Sequence, residues 1–177
     1  MRKAGFVLAL VLVAGWAPAQ GYKPVDNGSK VEFKVKNFGF SVTGSFTGIS
    51  GNITFDPAHP EAAAFDVSVN AASVNTDNGM RDDHLRKSTY FDVEKYPKIR
   101  LLSGKISSIK KGVFQFTGQL SLKNHTKAVS FPFTAEAADG GGYRFKGTFS
   151  INRKDFEVGG TSTISDNLDV GLDVIAK

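Results

Sequence analysis

The chain has 177 residues, no cysteine and a net charge of +5. The length fits one domain with a core large enough to fold without staples. The absent cysteine removes disulfides and thiol chemistry. The lysines are scattered along the chain and not gathered into a patch, so nucleic acid is not an expected partner.

In chain order, Met1, Arg2 and Lys3 make a short basic start, and Ala4 to Gly15 is an apolar run. Ala17 and Ala19 follow at the small-residue positions of a signal-peptide cleavage site. This pattern predicts a secretory signal over residues 1–19, cleaved after Ala19, and an exported, periplasmic or secreted single domain over 20–177. The run is shorter than the roughly 20 apolar residues that span a bilayer. No cysteine follows it, so a lipid anchor at that point is not expected. Loss of Arg2 and Lys3 lowers the net charge to +3.

Beyond the leader, period-two alternation dominates and predicts an all-β fold. "KVEFKVK" (30–36) turns Val31, Phe33 and Val35 to one face, and "FGFSVTGSF" does the same with Phe38, Phe40, Val42 and Phe46. The phase changes between these runs, which predicts a bulge or tight turn near Asn37. "GISG" (48–51) reads as a hairpin turn into a strand that points Ile53 and Phe55 inward. Later strands present Phe65, Val67 and Val69; a less regular "KIRLLSGKI"; Phe114, Phe116, Leu120 and Leu122; Val129, Phe131, Phe133 and Ala135; Tyr143, Phe145, Phe149 and Ile151; and Leu168, Val170, Leu172 and Val174. Pro132 falls on the outward phase, which suggests an edge or bulged position. Short turns rich in Gly and Lys join the late strands and predict antiparallel neighbours. Eight or nine such strands must curl or close, and an eight-stranded closed barrel holds either packed side chains or one small ligand.

Alternation stops between Ser73 and Pro97. There "MRDDHLRK" is predicted to form a short helix capped by Asn78 or Asp77 and laid across an end or flank of the barrel. The segment concentrates reactive side chains: Arg81, Asp82, Asp83, His84, Arg86, Asp92 and Tyr96. His59, His84 and His125 are too far apart in sequence to show metal-ligand spacing, so no metal and no cofactor is expected. There is no G-x-S-x-G elbow, and nothing places the carboxylates across a cleft. These seven residues are therefore expected to form a structural latch of Arg–Asp pairs, anchored by Tyr90, Phe91 and Tyr96, with no catalytic residue among them.

All but Phe6 of the 15 Phe residues lie in the mature chain, nearly all on inward phases. They either fill a barrel core or wall a pocket for a long apolar ligand. The side chains expected to line such a tunnel are Phe33, Val35, Phe40, Val42, Phe46, Phe55, Phe116, Phe133, Phe145 and Phe149. An enzyme acting on a lipid or small molecule through Asp82, Asp83 and His84 is one alternative. A filled barrel that serves as an envelope stress or interaction protein is another.

One resemblance separates these readings. "SVNTDNGMRDDHLRKSTYFDVEKYP" (73–97) resembles the signature of the YceI-like family of exported lipid-binding proteins. The similarity continues through "GFSVTGSFTGISGNITFDP" (39–57), "GQLSLKNHTKAVSFPF" (118–133), "INRKDFEVG" (151–159) and "DNLDVGLDVIA" (166–176). It implies an extended, eight-stranded, lipocalin-like antiparallel barrel with one short helical insertion. It also implies an amphiphilic polyisoprenoid ligand, such as a quinone tail, held without chemistry. A transient membrane contact and a homodimer are compatible with this reading. The chain departs from the family pattern at Asn37, where His is common, at Lys87, where Ser is common, and in the short "ADGGG" turn.

Overall fold

The computed structural model describes residues 20–161 and 163–177, so the predicted signal peptide lies outside the described residues. Each alternating run forms a strand: β1 (Gly21–Tyr22), β2 (Pro24–Asn37), β3 (Phe40–Phe46), β4 (Ser50–Thr54), β5 (Ala64–Asn70), β6 (Lys98–Lys110), β7 (Val113–Leu122), β8 (His125–Ala137), β9 (Tyr143–Asn152) and β10 (Asn167–Ala176). One α-helix, α1 (Gly79–Arg86), lies between β5 and β6. All strand pairs are antiparallel, in the order β1-β4-β5-β6-β7-β8-β9-β10-β2-β3.

That order begins and ends on the same two stretches of chain. β1 and β2 are one strand interrupted at Lys23, whose backbone exchanges hydrogen bonds with Lys177. β3 and β4 are one strand bent at Thr47–Ile49. The ten strands are thus the expected eight, closed on themselves, with two of them broken once.

The break corrects the reading of "GISG" as a hairpin turn. β3 and β4 do not pair with each other; β4 pairs with β1 and β5. The Asp26 carboxylate holds the bend by accepting the N–H groups of Gly48 at 3.0 Å and Ile49 at 2.8 Å. Gly51 is needed for approach and not for reversal. A Cβ there would lie 2.0 Å from the Asp66 carbonyl oxygen, so β4 could not lie against β5.

The tight turn expected near Asn37 is a two-residue hairpin at Phe38 and Gly39, with φ of 49° and 82°. Positive φ at both central residues matches the right-handed twist of the flanking strands.

Antiparallel alternation gives the barrel two unlike ends. One, here the loop end, carries the 38–39 turn, the insertion 71–97, the turn at 123–124 and the segment 153–166. The other carries the segment 55–63, the turns at 111–112 and 138–142, and the C-terminal end of β10. Phe55 plugs this second end, with rings of Phe114, Tyr143 and Phe145 set edge-on at 5.1–5.2 Å. Edge-to-face contacts of this kind stabilise beyond the area they bury. A second cluster, including Phe46, Phe91, Leu120, Phe156 and Val158, packs beneath the loop end.

Candidate functional site: an apolar cavity beneath the loop end

Between the two clusters lies a cavity of about 200 Å³. Of the ten side chains expected on its wall, Phe33, Val35, Phe46, Phe116, Phe133, Phe145 and Phe149 line it. Phe55 is buried behind them, inside the plug. Val42 is half-buried and off the wall.

Phe40 is a correction: it is 77% exposed. It pairs with Asn37 beside the hairpin turn, past the rim of the barrel, so the inward phase has no interior left to point into.

The wall also includes Phe131 and the inward face of β10 (Leu168, Val170, Leu172 and Val174). Leu85, Tyr90 and Phe91 of the insertion and Val158 and Ile164 of the 153–166 segment complete it at the loop end. Alternation gave the β10 positions their inward phase. The two loop segments could not be found that way, because they have no strand period. Glu32, Arg100 and Lys146 border the cavity from strands on which their side chains alternate outward.

The one charged side chain of the wall that is buried is Arg153, at 3% exposure. Its guanidinium donates to the carbonyls of Val158, Gly160, Ile164 and Ser165 and to Asp166 Oδ1, at 2.7–3.1 Å. It therefore fixes the loop whose Val158 and Ile164 close the cavity. A planar fork with five donors suits this many carbonyl acceptors.

The barrel wall has a seam beside the cavity. β8 and β9 pair only from Ala137–Tyr143 to Phe133–Gly147, although both strands run on. Ala135 donates to Gly112 next to β7, so the odd residues of β8 face β7 and the even ones face β9. The next donor toward β9 would be residue 132, which is proline. Without an N–H the ladder stops there. Beyond it the gap is spanned by rings: Phe131 stacks on Phe149 at 4.5 Å and on Phe116 at 4.9 Å.

The latch residues are drawn together by backbone more than by ion pairs. Asn78 caps α1 by accepting from Arg81 N–H at 3.0 Å. Buried Asp82 accepts from Thr76 N–H at 2.9 Å and Thr76 Oγ at 2.5 Å. Arg81 donates to the Thr76 hydroxyl and carbonyl. Arg86 donates to the carbonyls of Ala72 and Val74, and only its third contact, with exposed Asp83 at 2.8 Å, is an Arg–Asp pair. The expected set of Arg–Asp pairs thus reduces to that one among these seven residues. Asp92 acts through its backbone: with φ of 51°, its carbonyl accepts from Lys95 and Tyr96. Phe91 anchors the insertion between Phe33 and Phe46. Tyr96 lies outside both core clusters, with Lys95 over its ring at 5.2 Å.

Asp82, Asp83 and His84 do not converge. The first faces Thr76, the second Arg86, and the His84 ring meets Tyr90 edge-on at 5.2 Å. Among the described residues no three His, Cys, Asp or Glu side chains are grouped to hold a metal ion.

Resolved pKa shifts of carboxylates fall on the outer surface. Hydrogen bonds from Arg144 hold Asp173 below the usual carboxylate range, and those from Arg100 do the same for Asp66. Burial at the plugged end raises Tyr143.

Comparison with known proteins gives the same architecture. The protein BcnA of Burkholderia cenocepacia superposes with a TM-score of 0.79 at 26% identity, over 85% of this chain and 98% of that one. A polyisoprenoid binding domain from Saccharophagus degradans superposes with a TM-score of 0.70 at 14% identity, over 91% of this chain and 99% of that one. A UPF0312 protein of Pseudomonas putida is 34% identical over 98% of this chain and 96% of its own length. The model of the YceI-like domain matches residues 22–176, nearly the whole barrel. With that match over nearly the whole barrel and a relative 34% identical along almost its full length, the chain belongs to the YceI-like family.

Proposed function

We propose that the protein binds the long apolar chain of a polyisoprenoid-type lipid in the barrel cavity and acts by sequestering it, without chemistry, in an exported, periplasmic setting. The observation that carries this reading is the wall itself. Apolar side chains from the strands and both loop segments surround the space, and the buried charge, Arg153, is already bonded to carbonyls. Such a wall gains from stripping water off a hydrocarbon and offers an ionic group nothing. The similar domain from Saccharophagus degradans, described as polyisoprenoid binding, supports the ligand class.

At about 200 Å³ the cavity is smaller than the ~300–1,000 Å³ of a drug-sized site. A long chain therefore enters by displacing rings, and the unpaired β8–β9 seam is a stretch of wall that opens without breaking ladder hydrogen bonds.

Titration with a fluorescent prenyl probe tests the reading. The wild type binds it, and Val170→Trp, which fills the cavity from β10, weakens it by about tenfold or more while the fold persists. Equal binding by Val170→Trp would place the ligand elsewhere. Turnover abolished by His84→Ala would instead favour an enzyme.

A further inference from the structure

We propose that the Phe38–Phe40 hairpin tip is a docking wedge that seats the loop end of the barrel on an anionic lipid bilayer. Phe38 and Phe40 are 74% and 77% exposed, side by side at the extreme of β2 and β3. Phe38 holds φ of 49°. That conformation favours Asn, Asp or Gly and is costly for a bulky ring, so local stability does not explain the residue. The tip is also well fixed. Phe38 N–H donates to the Thr163 carbonyl at 3.3 Å, and Thr163 Oγ donates to Asn37 Oδ1 at 2.8 Å.

Two further observations select a bilayer as the occupant. Lys34 and Lys36 are exposed on the outer face of the same hairpin. The chain beside Lys36 is Ser41 on one side and Ser165 on the other, so its charge meets no carboxylate there, whereas Lys34 faces Asp169. Rings at the tip with ammonium groups behind them match the depth order of acyl chain and phosphate. Area argues against a second protein. Two Phe side chains offer roughly 300–500 Å² together, well short of the ~1,200 Å² of a stable interface.

Position supplies the purpose, which rests on the lipid-binding reading although the geometry does not. The opposite end is plugged by Phe55 and its ring neighbours. The tip is bridged through Asn37 to Ile164, a residue of the cavity wall. Seating the tip therefore brings the cavity end of the barrel to the membrane, where an apolar ligand exchanges without crossing water.

Co-sedimentation with phosphatidylglycerol–phosphatidylcholine vesicles that carry no isoprenoid tests the wedge. The wild type sediments with them, and the double variant Phe38→Asn/Phe40→Thr, chosen because Asn suits the turn and Thr the strand, weakens binding by about tenfold or more. Ile109→Ser removes an apolar side chain 54% exposed near the plugged end and leaves binding unchanged. Lys34→Ser/Lys36→Ser weakens binding to the anionic vesicles only. Prenyl-probe binding in detergent solution stays at the wild-type level in the hairpin variant. Wild-type protein that ignores the vesicles, or a hairpin variant that binds them normally, overturns the wedge without touching the cavity. A wild-type dimer in sedimentation velocity that the hairpin variant dissolves overturns it in favour of a second copy. Vesicle binding by a protein that takes up no probe upholds the wedge and removes the lipid-binding reading instead.

Discussion

Asp82 and Asp83 stand next to each other on α1 and do different work. Asp82 is buried and accepts two hydrogen bonds from Thr76, while Asp83 sits in solvent against Arg86. Asp82→Ala leaves a buried hydroxyl and N–H without an acceptor and costs about 1–3 kcal/mol in urea unfolding. Asp83→Ala removes one exposed pair and changes stability by about 0.5 kcal/mol or less. Equal effects of the two would refute this division. The sequence marked the segment as a latch but misread its partners, because backbone carbonyls have no letter of their own. Arg86 and Arg153 both bind carbonyls, and neither role is visible in composition or spacing. Phe40 shows a related limit: alternation reports which face a residue takes, not whether the barrel still extends at that height.

At the scale of elements, period two was legible wherever a strand runs whole. In β7 the inward Phe114, Phe116, Leu120 and Leu122 are all buried, as their phase requires. Glycines were harder to read, since Gly48 and Gly51 suggest a turn by type but serve a bend and a close approach. Pro132 was read as an edge or bulged position; β8 has no bulge there, but it lacks pairing toward β9, as an edge would, and the consequence is testable. Pro132→Val supplies an N–H that donates to the Thr148 carbonyl and draws the 132–148 pair together, so the Thr148 N–H, donating in turn to the residue-132 carbonyl, gains hydrogen-exchange protection and the prenyl probe leaves several-fold more slowly. Unchanged exchange of both amide and probe would show that the seam is neither opened by Pro132 nor used by the ligand.

The outer face of β9–β10 makes stability depend on pH. Arg144 donates to both oxygens of Asp173, at 2.5 and 2.7 Å, and lowers its pKa. A depressed carboxylate pKa contributes stability that is present above the unfolded-state value near 4 and lost as pH falls through the folded value. The melting temperature of wild type should fall more steeply below about pH 4 than that of Asp173→Asn. Parallel curves would mean that this pair contributes nothing, as many exposed pairs do.

Over the whole molecule the decisive property is asymmetry. One end of the barrel is packed with interlocked aromatic rings, and the other is roofed by two irregular segments held through Asp82, Arg86 and Arg153. Strand alternation and the Phe content predicted a closed barrel but left a filled core and a ligand pocket equally open. The structure has packed clusters toward both ends and an apolar cavity of about 200 Å³ between them. The cavity depends on loop residues such as Tyr90, Val158 and Ile164, whose positions only tertiary folding determines. Native mass spectrometry of the protein, gently purified from the cells that make it, shows whether the cavity carries a lipid. A lipid-binding barrel brings with it an apolar adduct whose mass fits a polyisoprenoid and which Val170→Trp excludes. Bare polypeptide mass in every preparation, with no prenyl probe taken up afterwards, would contradict the lipid-binding reading.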